Sequence, residues 1–235
     1  MVNILKHIRT ELLKKADPVY RRGAQNYFKE GITLHGVRTP VVRAISAKYY
    51  KQVKGLKKTD IFELCDRLLS YGTSEERTIA FDWAWQLRQQ FEPSDFNILE
   101  RWLKDHVNNW GGVDDLCRRA LGCFICRYPR FLPKVFIWTK SREWHMRRAA
   151  AVILISPAKL GRALPEILRT SDALMNDEHY LVQKGYGWLL KEAYVKFPRE
   201  IFGYVMKNKG RMPRTALRYA IEKMPASLRK KAMLK

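Results

Sequence analysis

Apolar residues recur every three to four positions along most of this chain, and a glycine or proline interrupts the pattern before any run grows long. Ile4, Leu5, Ile8, Leu12 and Leu13 trace one stripe. Val42, Ala44, Ile45 and Tyr49 trace a second, and Ile61, Phe62, Leu64, Cys65, Leu68 and Leu69 a third. No train of alternating strands competes with this period, and Asn-Gly or Asp-Gly hairpin turns are absent. The breakers are Gly31, Gly36 with Pro40, Gly55, Gly72, Pro93, Gly111-Gly112, Pro129 with Pro133, Pro157, Pro165, Pro198, Gly210 with Pro213, and Pro225. They leave helices of about 10 to 15 residues joined by short turns. The expected fold is all-α, built from stacked helical hairpins.

A weak internal repeat sharpens that expectation. A basic residue followed closely by a small one opens successive apolar helices at Arg77-Thr78-Ile79-Ala80, Arg118-Arg119-Ala120, Arg147-Arg148-Ala149-Ala150, Lys184-Gly185-Tyr186-Gly187 and Arg214-Thr215-Ala216. The first residues are 41, 29, 37 and 30 positions apart. That spacing suits HEAT-like helix pairs, which stack into a solenoid with a concave face. The small residues would let neighbouring helices approach, and the basic ones would point outward and make the concave face positive. No linker interrupts the chain, so residues 1–235 read as a single HEAT-like domain ending in the basic segment Ser227-Leu228-Arg229-Lys230-Lys231.

Charge then narrows the partners. The chain has 45 Lys and Arg against 23 Asp and Glu, a formal charge of +22, yet 46% of its residues are hydrophobic. That apolar fraction excludes a disordered polycation and supplies a full core. The longest apolar run, Ala149 to Ile155, is far short of the ~18 residues of a membrane span. Lys6, His7, Arg9, Glu11, Lys14 and Lys15 make the first segment unlike a signal peptide. The expectation is a monomeric cytoplasmic protein, associated with the nucleoid. A folded chain with this excess favours a polyanion, and a concave basic strip suits duplex nucleic acid with salt-sensitive affinity. Candidate contacts are Arg118, Arg119, Arg127, Arg147, Arg148, Lys184, Lys191, Arg211, Arg214 and Arg218.

Metal and nucleotide chemistry find little support. Cys117, Cys123 and Cys126 are spaced C-x5-C-x2-C, but no fourth ligand lies nearby and Cys65 is far upstream, so all four read as reduced core cysteines. His7, His35, His106, His145 and His179 have no metal spacing and read as surface or backbone-bonding residues, and there is no Walker-type loop. No metal or cofactor is expected. Of the seven tryptophans, Trp83, Trp85, Trp102 and Trp138 lie in apolar helical stretches and read as core. Trp110, Trp144 and Trp188 stand beside glycines and charges instead.

One segment carries the elements of a reaction. In Asn108-Asn109-Trp110-Gly111-Gly112-Val113-Asp114-Asp115-Leu116 an indole precedes a carboxylate by four residues, and a helix is expected to begin near Val113. Asp114 and Asp115 then admit two readings. They are first-turn acids favoured by the helix dipole, or one is an anion set among cations that lower its pKa and keep it ionised. The second suits cleavage of an N-glycosidic bond, because positive charge develops on the sugar as the base departs. A fixed carboxylate stabilises that charge and orients the attacking water, and an indole face favours the same cationic species.

These residues resemble the AlkD-type alkylpurine DNA glycosylases, a family of HEAT-like-repeat proteins, over roughly Asp17 to Pro225. Tyr27-Phe28-Lys29 with Gly36-Val37-Arg38-Thr39-Pro40 is similar to the family's N-terminal helix and its Gly-x-x-Thr-Pro turn. Trp110-Gly111-Gly112-Val113-Asp114 resembles its Trp-x-x-Val-Asp element, Trp144-His145-Met146-Arg147-Arg148-Ala149 its Trp-x-x-Arg element, and Gly187-Trp188-Leu189-Leu190-Lys191-Glu192 its Gly-Trp-x-Leu-[Arg/Lys]-Glu element. The resemblance implies that Asp114 is the catalytic carboxylate and that Trp110 and Trp188 are aromatic walls. It implies Arg147, or its neighbour Arg148, as the clamp on the DNA backbone and Tyr27 as a groove contact. It further implies that the duplex lies on the concave surface and that the lesion enters no protein pocket, and the sequence shows no wedge-and-pocket signature.

The function expected is a metal-independent, monofunctional DNA glycosylase of base excision repair. Its substrate is double-stranded DNA carrying cationic alkylated purines such as 3-methyladenine or 7-methylguanine, with bulky adducts within its range. Lys184, Lys191, Arg214 and Arg218 join Tyr27, Arg147 and Arg148 as DNA contacts. The competing expectation is a non-catalytic binder of damaged or branched DNA on the same scaffold; a protein-interaction scaffold explains the indole and carboxylate poorly.

Overall fold

The computed structural model describes residues 2–234, and the regular structure among them is helical throughout. The helices are α1 (Val2–Lys14), α2 (Pro18–Tyr27), α3 (Thr39–Val53), α4 (Lys58–Ser70), α5 (Ser74–Gln86), α6 (Asp95–His106), α7 (Trp110–Arg118), α8 (Ala120–Arg127), α9 (Leu132–Ile137), α10 (Trp144–Val152), α11 (Ile155–Lys159), α12 (Leu164–Ala173), α13 (Tyr180–Tyr194), α14 (Pro198–Asn208), α15 (Arg214–Ala220) and α16 (Ala226–Met233). Short 3-10 turns occupy Arg88–Gln90, Pro129–Phe131 and Trp138–Lys140. None of the described helices is long and apolar enough to cross a membrane. The chain divides into two compact units, residues 1–120 and 121–235.

The first unit is organised around α5. Ile79, Ala80, Phe81, Trp83 and Ala84 are all fully buried, as a helix with neighbours on most sides must be. It packs on α3, α4 and α7, and the Trp83 indole donates to the Ser46 carbonyl at 3.2 Å, tying α5 to α3. α1 closes the unit by burying Leu5, Ile8 and Leu12, and it packs on α3. Four charged residues of α5, Glu75, Glu76, Arg77 and Asp82, are buried along with its apolar ones. Burying a charge is costly unless it is paired or hydrogen-bonded, and the partners of these residues shape the candidate site below.

In the second unit α13 is the centre, packed on α10, α11, α12, α14 and α15. The small residues of its Lys184-Gly185-Tyr186-Gly187 segment act as the repeat suggests. A Cβ on Gly187 would stand 2.7 Å from the Ala216 carbonyl oxygen, and one on Gly185 would stand 3.2 Å from Cγ of Arg148. The basic member of the repeat does not always point outward. Arg118 and Arg214 are exposed, but Arg77 and Arg148 are buried at 7% and 5% exposure, which corrects that expectation for these two positions. Each finds its hydrogen-bond acceptors inside the protein, so it need not reach solvent.

Three further expectations resolve here. Trp83, Trp102 and Trp138 are core residues, whereas Trp85 is only half-buried and lies under the guanidinium groups of Arg88 and Arg119, at 4.0 and 4.6 Å. Cys65 and Cys117 are buried and Cys123 and Cys126 half-buried. His145 is buried too, unlike a surface histidine.

Candidate functional site

α7 begins at Trp110, three residues before the expected Val113. Asn109 caps it in an extended conformation (φ −139°, ψ 161°), and its side-chain oxygen accepts the Gly112 amide at 3.0 Å. Asp114 and Asp115 therefore lie beyond the first turn, which removes the simple helix-dipole account of them. Residues four apart share one face of a helix, so Trp110, Asp114 and Arg118 form one stripe and Asp115 with Arg119 the next.

That first stripe lines a cavity of about 730 Å³ in the first unit, within the usual size of a small-molecule site, roughly 300–1,000 Å³. Tyr20, Gly23, Ala24 and Tyr27 of α2 line it opposite the polar residues Glu75 and Arg77 of α5 and Arg43 of α3. The walls come from segments dozens of residues apart, which no local motif reveals.

The aromatic wall contains a residue the sequence did not single out. Phe28, directly after α2, lies parallel on Trp110 with ring centroids 4.9 Å apart and planes 10° apart. Tyr27 meets the same indole edge-on at 6.0 Å. The double glycine permits this: a Cβ on Gly111 would be 3.4 Å from the Phe28 ring, and one on Gly112 would be 3.0 Å from Nε of Arg77. Arg77 sits beneath the start of α7, donating to the His106 carbonyl at 3.4 Å and to the Asn109 side chain at 3.5 Å. Burial lowers its pKa to about 10, against the opposing pull of Asp115 and Glu75.

The second stripe belongs to an ion cluster. Arg43 bonds Asp82 and lies 2.6 Å from Asp115, while Arg119 bonds Asp82 and lies 3.9 Å from Asp115. Burial works against the Arg43 charge, but Asp115 and Asp82 more than offset it and raise its pKa. For Asp82 burial prevails over Arg43 and Arg119, and its pKa is raised. Two guanidiniums and two carboxylates thus join α3, α5 and the segment from α7 to Arg119. No sequence signal marked Arg43 or Asp82, since a lone charge in a helical stretch reads as a solvated face.

The remaining expected residues lie in the second unit. Arg147 is half-buried, its Nε 2.5 Å from Asp177 and its Nη1 donating to the Ser141 and Arg142 carbonyls at 3.0 and 2.8 Å. Arg148 donates to the Leu181 carbonyl at 2.6 Å and packs against Gly185. Of the two arginines, Arg147 is the more accessible. The half-buried Trp188 donates to Glu192 at 3.3 Å. Burial pushes the Glu192 carboxyl up, but Lys223, with help from Lys159, holds it below its ordinary value. Lys191 pairs with Glu222 at 2.7 Å, Lys184 lies 5.1 Å from the Tyr180 ring, and Arg214 and Arg218 are exposed. Trp144 stacks on His179 at 4.6 Å with planes 1° apart.

Known proteins share the sequence pattern and the fold. The family described as "DNA alkylation repair enzyme" matches residues 8–224. The fold is similar to that of a solved structure described as a predicted DNA alkylation repair enzyme from Enterococcus faecalis, with TM-score 0.80, 17% identity, and 90% of this chain and 98% of that one covered. AlkD2 from Streptococcus mutans aligns with TM-score 0.59 and 23% identity over 77% of this chain and 89% of its own. The protein smu.31 from Streptococcus mutans UA159 aligns with TM-score 0.57 and 23% identity, over 82% and 95%. No curated protein matches.

Proposed function

Because this chain belongs to the family of DNA alkylation repair enzymes, we propose that it is a monofunctional DNA glycosylase releasing cationic alkylated purines from duplex DNA. The observation that carries the reading is the stripe of Trp110, Asp114 and Arg118 along one cavity wall.

The proposed reaction needs no cofactor. An alkylated purine of the 3-methyladenine or 7-methylguanine type already carries a positive charge, so the bond from C1′ to nitrogen breaks with its electron pair going to the base. The base leaves neutral and the sugar becomes oxocarbenium-like. Asp114, as carboxylate, faces that charge and accepts a proton from the water that attacks C1′. Trp110 offers the electron-rich face that both cations favour. Bulky adducts extend the proposed substrate range.

DNA contacts are assigned to Tyr27 in the first unit and to Arg147, Lys184, Lys191, Arg214 and Arg218 in the second. Trp188 is assigned the role of a second aromatic wall from the motif resemblance. Arg148 is left as a packing residue. The chain is proposed to act as a monomer on duplex DNA in the cytoplasm.

The test is incubation of the protein with methylated duplex DNA under single-turnover conditions, followed by mass analysis of liberated bases. The wild type releases methylpurines and leaves abasic sites, and Asp114→Asn binds the DNA without releasing them. Salt-sensitive binding with no abasic product, indifferent to Asp114, would replace this reading with that of a non-catalytic binder.

A further inference from the structure

Among the described residues of the second unit, Glu192 is the one buried acid. Its carboxylate ties together α11, α13 and the turn after α15. Lys223, in that turn, donates to Oε2 at 2.9 Å, and Lys159 at the end of α11 lies 3.6 Å from the same oxygen. The other oxygen, Oε1, accepts the Trp188 indole N–H at 3.3 Å, one helical turn back along α13. Long side chains on a helix lean toward its N-terminus, so a glutamate four residues after a tryptophan is placed to meet it.

This is a poor device for stability alone. Taking a carboxylate out of water is costly, and a buried ion pair is often replaced by apolar groups of similar volume without loss. Nor do the lysines need it, since Lys159 and Lys223 keep 50% and 38% of their side chains exposed. What Glu192 supplies is the direction of one ring. The backbone of α13 is already set at this point, because Gly187 presses on α15 and Leu189 and Leu190 are fully buried. From Gly185 to Leu190, Trp188 is the one residue left half-buried. Packing fixes where the helix lies, and the hydrogen bond to an anionic acceptor fixes how the indole turns.

We propose that Glu192 is a positioning residue for the reaction: it holds the Trp188 indole by its N–H edge in the orientation in which the ring meets the DNA, and Lys223 holds Glu192 in turn. This rests on reading Trp188 as an aromatic wall of the site. An indole has one donor and no acceptor. With that donor turned to Glu192, the ring acts through its π surface and not as a donor to phosphate. A ring held in place before the DNA arrives needs no ordering as the sugar turns positive, so loss of the anchor appears in the rate and not in the affinity.

The test uses the full chain. The Trp188 indole N–H signal in the NMR spectrum of isotope-labelled protein, identified by its loss in Trp188→Phe, should exchange with solvent at least about fivefold faster in Glu192→Leu than in the wild type. Glu192→Gln, which keeps an acceptor oxygen, should restore most of the protection. Under single-turnover conditions with saturating methylated duplex, Glu192→Leu should release base about tenfold more slowly while DNA affinity stays within about twofold. In the Trp188→Phe background, which has no N–H to hold, the same substitution should change the rate by less than about twofold. Lys223→Met serves as a second variant if the leucine protein does not fold, with a faster-exchanging indole and release slowed about threefold. The proposal is overturned if the indole N–H exchanges alike with and without the carboxylate, or if Glu192→Leu slows release as much in the Trp188→Phe background as in the wild type, which would make Glu192 a residue of the scaffold. An indole held as described, in a protein that releases no base from methylated DNA, would sink the glycosylase reading alone.

Discussion

Asp115 Oδ1 lies 2.6 Å from Arg43 Nη2, and that pair gives a structural role to the acid next to the one singled out by the motif resemblance. Asp115 is engaged in the ion cluster of α3, α5 and Arg119, while Asp114 shares its helix face with Trp110 and Arg118. The two asparagine variants should therefore fail differently. Asp114→Asn should lose base release by about a hundredfold or more, out of proportion to any change in stability. Asp115→Asn should lower folding stability by about 2 kcal/mol, between the values of surface and buried pairs. Urea denaturation beside single-turnover release separates them.

Gly187 is set by the crossing of α13 and α15. Its missing Cβ would stand 2.7 Å from the Ala216 carbonyl oxygen and 2.8 Å from Cβ of Tyr219. Gly187→Ala should destabilise the protein by about 1–3 kcal/mol despite the better helix propensity of alanine. A melting temperature equal to that of the wild type would show that the helices shift without penalty.

The basic residues of the second unit should sort by burial. Arg214→Ala and Arg218→Ala, at exposed positions, should each weaken binding to all duplexes alike and reduce the salt slope by about 1. Arg148→Met should leave that slope unchanged and cost about 2 kcal/mol of stability, because the buried Leu181 carbonyl loses its donor. Fluorescence anisotropy over a salt series, with a denaturation curve for each variant, checks the division.

Much of this arrangement was legible in the sequence, for identifiable reasons. The four-residue step from Trp110 to Asp114 is a local property of helices and survives folding intact, as does the need for small residues at Gly185 and Gly187. The start of α7 was misjudged because Gly111 and Gly112 are poor helix formers; their absent side chains admit Phe28 and Arg77 instead. Phe28, Arg43 and Asp82 escaped notice because each acquires its role from a partner 37 to 82 positions away, and spacing along a chain says nothing about such meetings. The burial of Arg77 and Arg148 was hidden for the same reason, since their acceptors are main-chain or distant polar groups.

His145 provides a pH signature independent of any substrate. Its side chain is buried, and Nε2 has no hydrogen-bond partner among the described residues. Burial lowers its pKa, only partly countered by Glu143. The neutral ring is thus the folded form, and its contribution is complete above the ordinary histidine pKa and declines as pH falls toward the lowered value. Between about pH 7.5 and pH 5.5 the wild type should lose more stability than His145→Gln. Equal losses in denaturant titrations at the two pH values would exclude this residue as the source.

A helix that buries none of its residues adds little to the stability of the protein it covers. The outward positions of α2, such as Val19 and Gln25, can therefore be exchanged almost at will. The cavity-facing positions Tyr20, Gly23, Ala24 and Tyr27 are equally unburied, so the wall they form can be reshaped without endangering the scaffold.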